Sequence, residues 1–162
     1  MNTFFHNLSP NSRRGFSLIE LIAVVAIIGI IVAISVAAFS STKEGQALDK
    51  DVQNTLSLIK EARSRTLASV GDSQYGVHFE ETKAVLFKGA SYNPNDPDNF
   101  VHTFDSLDHV VSVNLVGGGS DLVFNRLTAE VPAYGTVTFR PFNNPSIFRV
   151  ISVYQTGIST TY

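Results

Sequence analysis

The chain has 162 residues, 44% of them hydrophobic and 16% charged, with a formal net charge of -2. That length holds one folded body rather than two independent cores, and the composition is apolar for an ordinary soluble domain. The near-neutral charge gives no global reason to expect phosphate binding, and the lack of cysteine excludes disulfides, thiol catalysis and thiolate metal sites.

The first nineteen positions hold no acid, and Arg13 and Arg14 stand just ahead of Gly15-Phe16-Ser17-Leu18-Ile19-Glu20. From Leu21 to Thr42 no side chain is charged, and the apolar run is broken only by Gly29 and Ser35 before Ser40. Roughly 20 apolar residues rising 1.5 Å each reach ~30 Å, the thickness of a bilayer's hydrocarbon, so this stretch predicts one membrane-spanning helix. Arg13 and Arg14 put residues 1 to 14 on the cytoplasmic side and the chain beyond about residue 42 outside. Glu20 costs a few kcal/mol in lipid unless it lies at headgroup level or finds a partner, and both readings stay open from the residues alone. Ser35-Val36-Ala37 fits the small-x-small rule for a signal peptidase, which would release a soluble domain from Ala38. The apolar stretch is longer than a usual signal core and begins beside an acid, which argues against that cut.

Arg13-Arg14-Gly15-Phe16-Ser17-Leu18-Ile19-Glu20, followed at once by the apolar run, resembles the class III signal of type IV prepilins and type II secretion pseudopilins. The shared pattern is a basic leader, a Gly, an aromatic, and Glu at the fifth place after the Gly. The resemblance implies that a prepilin peptidase cuts between Gly15 and Phe16 on the cytoplasmic side and methylates the new amine of Phe16. Gly15 suits this, because a residue without Cβ lets a protease approach the backbone closely. It also implies that Glu20 pairs with the Phe16 amine of a neighbouring subunit, neutralising two buried charges and setting the register between subunits. Many major pilins have a Pro where this chain has Ala37, a departure that puts the family's helix kink in doubt and points to a minor subunit.

After Phe39 the pattern turns amphipathic, with Leu48, Val52, Leu56, Ile59 and Leu67 at spacings of one helical face, and Glu61 and Arg65 at i and i+4. Helix is expected to about Ser69, with a stop near Gly71, and Phe16 to Ser69 would make a rod of roughly 80 Å. Tyr75 to Glu81 and Lys83 to Lys88 predict a hairpin. Further strands are expected at His109 to Val116, Asp121 to Phe124, Gly135 to Arg140 and Phe148 to Tyr154, with turns at Gly117-Gly118-Gly119 and Asn143-Asn144-Pro145. Alternation at Val137 and Phe139, and at Val150 and Ser152, suggests sheets with one buried face. Glu61-Ala62-Arg63-Ser64-Arg65, Tyr75-Gly76-Val77-His78-Phe79 and Ile151-Ser152-Val153 with Thr156-Gly157 resemble the GspH/FimT family of minor pseudopilins and minor pilins. That resemblance implies an all-β head. Some pilus-type relatives bind DNA through a basic C-terminal region, which the Ile-Ser-Thr-Thr-Tyr ending lacks.

No catalytic constellation emerges. His6, His78, His102 and His109 have no metal-ligand spacing. Asn93 to Asn99 is rich in oxygen ligands for Ca2+ but lacks the EF-hand order, and its residues are those of a plain loop. Gly117-Gly118-Gly119-Ser120 has neither a phosphate-loop nor a nucleophile-elbow ending and reads as a turn. Lys60, Arg63 and Arg65 alternate with Glu61 and read as a solvated face.

The expected fold is therefore α+β and pilin-like: one long N-terminal helix over about 16–69, membrane-spanning in its first half, packed on a C-terminal antiparallel β-sheet or β-sandwich head. The chain divides into a cleaved leader (1–15), a transmembrane and assembly helix (16–42), an amphipathic helix (43–70) and a β-rich head (71–162). The resemblance implies a non-enzymatic subunit of a type IV pilus or type II secretion pseudopilus, with no cofactor or metal. Its implied partners are the prepilin peptidase, other pilin or pseudopilin subunits, the inner-membrane assembly platform and the membrane; nucleic acid is not expected. The implied location is the inner membrane, single-pass with the head outside, and then the filament. Two other readings stand beside it: a DNA-binding minor pilin of natural transformation, and a secreted or anchored β-domain that binds a ligand without polymerising.

Overall fold

The computed structural model describes residues 15–162, and the side chains among them except at 36–42. Helix α1 spans Leu18–Leu67, 50 residues without a proline. Its first bonds close on the Ser17 carbonyl, which accepts from Glu20 N at 3.1 Å and Leu21 N at 3.2 Å. Packing divides the chain into two units, Met1–Phe39 and Ser40–Tyr162. In the first, the helix is apolar all round and the large side chains from Leu18 to Ile34 are exposed.

In the second unit, the helix buries one stripe: Leu48, Val52, Leu56, Ile59 and Ala62, with Thr55 and Thr66 on the same face. The two threonines are buried because their hydroxyls are satisfied locally. Thr55 Oγ1 donates to Asp51 O and Thr66 Oγ1 to Ala62 O, each at 2.8 Å. Leu67, expected on this stripe, is 42% exposed. The drift of 3.6 residues per turn brings Thr66 inward instead, and Thr66 Oγ1 accepts the Tyr75 N–H at 2.9 Å, joining the helix end to the first strand. The helix stops at Leu67, slightly before the expected Ser69. Ser69 is left-handed (φ 47°), and Val70–Asp72 forms a 3-10 turn around Gly71 at φ 58°.

Eight strands follow: β1 Tyr75–Glu80, β2 Lys83–Lys88, β3 Phe100–Thr103, β4 Asp108–Leu115, β5 Asp121–Val123, β6 Gly135–Pro141, β7 Arg149–Val153 and β8 Ser159–Thr161. They form two four-stranded sheets, ordered β3-β2-β1-β5 and β4-β6-β7-β8, and every pairing is antiparallel. The chain thus has an α+β pilin-like fold, an apolar N-terminal helix leading to antiparallel sheets. Helix and both sheets share one core, in which Val77 and Leu86 from one sheet meet Val137, Phe139 and Ile151 from the other and Leu48 and Ile59 from α1. Phe104, from the connection between β3 and β4, stands edge-on to Phe139 at 5.6 Å.

The expected strands are all present, and β3 and β8 are additional. The expected phase holds for β6, where Val137 and Phe139 are fully buried, and needs correction for β7. There Ile151 and Val153 fill the core, Val150 is only partly covered, and Ser152 lies against the chain's end, its Oγ 3.2 Å from the Tyr162 hydroxyl. β4 slips register between Val110 and Ser112, leaving Val111 exposed.

Candidate functional site

The candidate site is the head of α1. A Cβ at Gly15 would meet nothing within 4 Å, so the backbone there is open to an approaching enzyme. Phe16 is 87% exposed. Glu20 lies in the first helical turn, where the unpaired N–H groups and the helix dipole favour a carboxylate. The stretch that contains it, Leu18–Ser35, is long and apolar enough to cross a membrane, and none of it is buried. Ser35, at its far end, turns its hydroxyl back on the Ile31 carbonyl at 2.8 Å and so presents no free donor. Arg13 and Arg14, expected as the leader charge, and His6 lie outside the described residues.

Residues 10–36 match the family described as the prokaryotic N-terminal methylation motif. The chain therefore opens as a type IV pilin-like prepilin does. The motif implies processing by a prepilin peptidase and assembly with other pilin subunits, and it marks structural rather than catalytic proteins. Neither a curated protein nor a solved structure matches the chain.

The other residues singled out in the sequence are scattered over the head. His78 Nδ1 lies 2.5 Å from Asp121 Oδ1, and its ring stacks on Tyr92 at 4.0 Å. His102 meets Asp51, and His109 stacks on Phe142 at 4.0 Å. Among the described residues, no three His, Asp or Glu side chains are grouped as a metal would need. The Asn93 to Asn99 loop closes on itself: Asn93 Oδ1 accepts from Asn95 N, Asp96 Oδ1 from Asp98 N, and Asn99 Nδ2 donates to Asn93 O. Gly117, Gly118 and Gly119 all take positive φ in an open turn between β4 and β5, a conformation that side chains resist. Arg65 pairs with Glu61 and lies 5.6 Å over the Tyr75 ring, whereas Arg63 is half-buried, beside Phe124 and Gly157.

Sequence reasoning missed one cluster. Asp51 and Asp108 are buried carboxyl groups, 3% and 1% exposed. Asp51 Oδ2 accepts the Asp105 N–H at 2.6 Å, and Asp51 Oδ1 lies 3.1 Å from His102 Nε2. Neither Asp108 oxygen has a hydrogen-bond partner. Burial, then the charges of Asp51 and Asp105, push the Asp108 carboxyl up to about 7. A signal was present: Asp51 interrupts the buried stripe of Leu48, Val52 and Thr55, where an acid needs partners.

Proposed function

We propose that this chain is the precursor of a structural subunit of a type IV pilus or type II secretion pseudopilus, a minor one of the GspH/FimT kind, and not an enzyme. The observation that carries the reading is the methylation motif leading straight into an apolar helical stretch, none of it buried, with Glu20 in its first turn. The leader, 1–15, holds the basic pair Arg13 and Arg14 in the cytoplasm, and the peptidase cuts between Gly15 and Phe16 and methylates the Phe16 amine. Cleavage ahead of the apolar run leaves that run in the mature protein. It anchors the subunit in the inner membrane first, with residues 43–70 and the head 71–162 outside.

Transfer into the filament then exchanges lipid for neighbouring helices around 16–42. Because a lone charge in that dry environment is costly, the Glu20 carboxylate pairs with the Phe16 ammonium of the next subunit, and the pair fixes the axial step. The chain supplies no energy for this step, so nucleotide hydrolysis lies with the assembly machinery.

Intact mass and N-terminal sequencing of the protein from its native membrane test the processing. The expected mature chain begins at N-methylated Phe16. A start at Ala38 would define a secreted soluble domain and a start at Met1 a simple anchor, and either would end the filament reading. Glu20→Ala should leave cleavage and insertion intact while lowering the subunit's share of the sheared filament fraction. Undiminished incorporation would remove the pairing role.

A further inference from the structure

Asp51 and Asp108 come from different elements and meet where the β3–β4 connection closes over α1. Each oxygen of the Asp51 carboxylate has one partner, the Asp105 N–H on one and His102 on the other, and each can accept a second. Asp108, the first residue of β4, is 1% exposed with both oxygens bare. The groups that face it add negative charge: Asp51 and Glu44 from α1, and Asp105 from the connection. From β3, His102 reaches Asp51, and on β6 the residue opposite Asp108 is the uncharged Pro141, with Arg140 opposite His109 next along. Lys50 lines the cleft outside Asp51 and Asp105.

An ionised carboxylate enclosed in this way, with no donor of its own and acids around it, is strongly disfavoured. A single proton removes both difficulties. Carried by Asp108, it neutralises that buried carboxyl group and gives it an O–H that the facing Asp51 carboxylate can accept. We propose that a proton on Asp108, donated to the Asp51 carboxylate, forms a latch that holds the β3–β4 connection and the start of β4 on helix α1, closed at mildly acidic pH and loosened as the pH rises past neutrality.

The parts that would move are those the cluster holds. The Asp105 N–H rests on Asp51, Leu107 N donates to Asp105 Oδ1 at 3.1 Å, and Asp108 N donates to Asp105 O at 2.9 Å. Phe104, on the same segment, plugs the core against Phe139. Loss of the proton puts a second full charge beside Asp51 and pushes this segment away from the helix. The carboxyl of Asp108 rises from 3.8 to about 7 on folding, so its contribution is fully present below about pH 4 and is lost as the pH rises through 7. Three pKa steps correspond to a loss of up to ~10³-fold in the folding constant, complete above about pH 8.

The test uses the full chain in detergent micelles, with carboxyl 13C shifts of the aspartates followed across pH and amide exchange of residues 104 to 108 compared at pH 6 and pH 8 after correction for intrinsic rates. The expected Asp108 midpoint lies near 7, with protection at 104 to 108 falling by up to ~10-fold between the two pH values. Asp108→Asn, neutral and of the same shape, should keep that protection at pH 8. Asp51→Asn should bring the Asp108 midpoint down, because the neighbouring charge is gone. A wild-type midpoint below about 5, or exchange that ignores pH, would overturn the latch without any variant. An unchanged Asp108 midpoint in Asp51→Asn would overturn the Asp108–Asp51 contact. Calcium or magnesium ions that lower the wild-type midpoint and restore protection at pH 8 would make the cluster a cation site instead.

Discussion

The two halves of α1 are built from the same kinds of residue and meet opposite fates. Ile27, Ile28 and Ile31 in the first half are more than half exposed, whereas Leu48, Val52 and Ile59 in the second are buried. The difference lies in distribution. The first half is apolar on every side, and no single protein head can cover a whole helix circumference. The second confines its apolar side chains to one stripe, which one sheet layer can cover. All-round apolar surface of this extent calls for lipid or for other helices on several sides at once, while a stripe calls only for the rest of its own chain.

This contrast breaks most visibly where aromatic rings fill the core. Phe124→Ala should cost the head about 3 to 5 kcal/mol, because Phe124 is fully buried and its ring would leave a cavity. Ile28→Ala, removing a side chain of comparable apolar character from the first half, should change the head's urea or thermal unfolding by less than about 0.5 kcal/mol. If Ile28→Ala destabilises the head as Phe124→Ala does, the halves are not energetically separate. A smaller effect is expected at the helix end. Thr66→Val keeps the shape but leaves the Tyr75 N–H without its acceptor in a buried site, for a loss of about 1 to 3 kcal/mol in the same measurement.

The contrast also explains what could be read from the sequence. The head of α1 was legible because its features are contiguous: Gly15, Phe16, Glu20 and the apolar run stand side by side. The β1–β2 hairpin was legible too, since two β-rich runs flank a two-residue polar turn at Glu81-Thr82. β3 was not, because Phe100-Val101-His102-Thr103 is an edge strand whose members are exposed or only partly covered, with no alternation to betray it. The phase of β7 was not legible, because Val150 and Ile151 are adjacent apolar residues on opposite faces, and only the packing selects Ile151 and Val153 for the core. Asp51 and Asp108 could be brought together only by the fold, since nothing local in either segment points to the other.

The smallest expected effect sharpens the comparison by separating exposed charge from buried packing within the second half itself. Glu61 and Arg65 form an i, i+4 pair in the favourable order, but their side chains are 44% and 43% exposed, so water and salt screen the attraction. Holding two long side chains together also costs conformational entropy. Glu61→Gln should therefore lower stability by no more than about 0.5 kcal/mol, and the difference should vanish in 1 M salt. Arg65 keeps its place over Tyr75 in that variant, so Arg65→Ala should cost slightly more than Glu61→Gln, and the excess should persist at high salt. Equal, fully salt-sensitive losses in the two variants would mean that the ring contact contributes nothing and that the ion pair alone acts on this face of the helix.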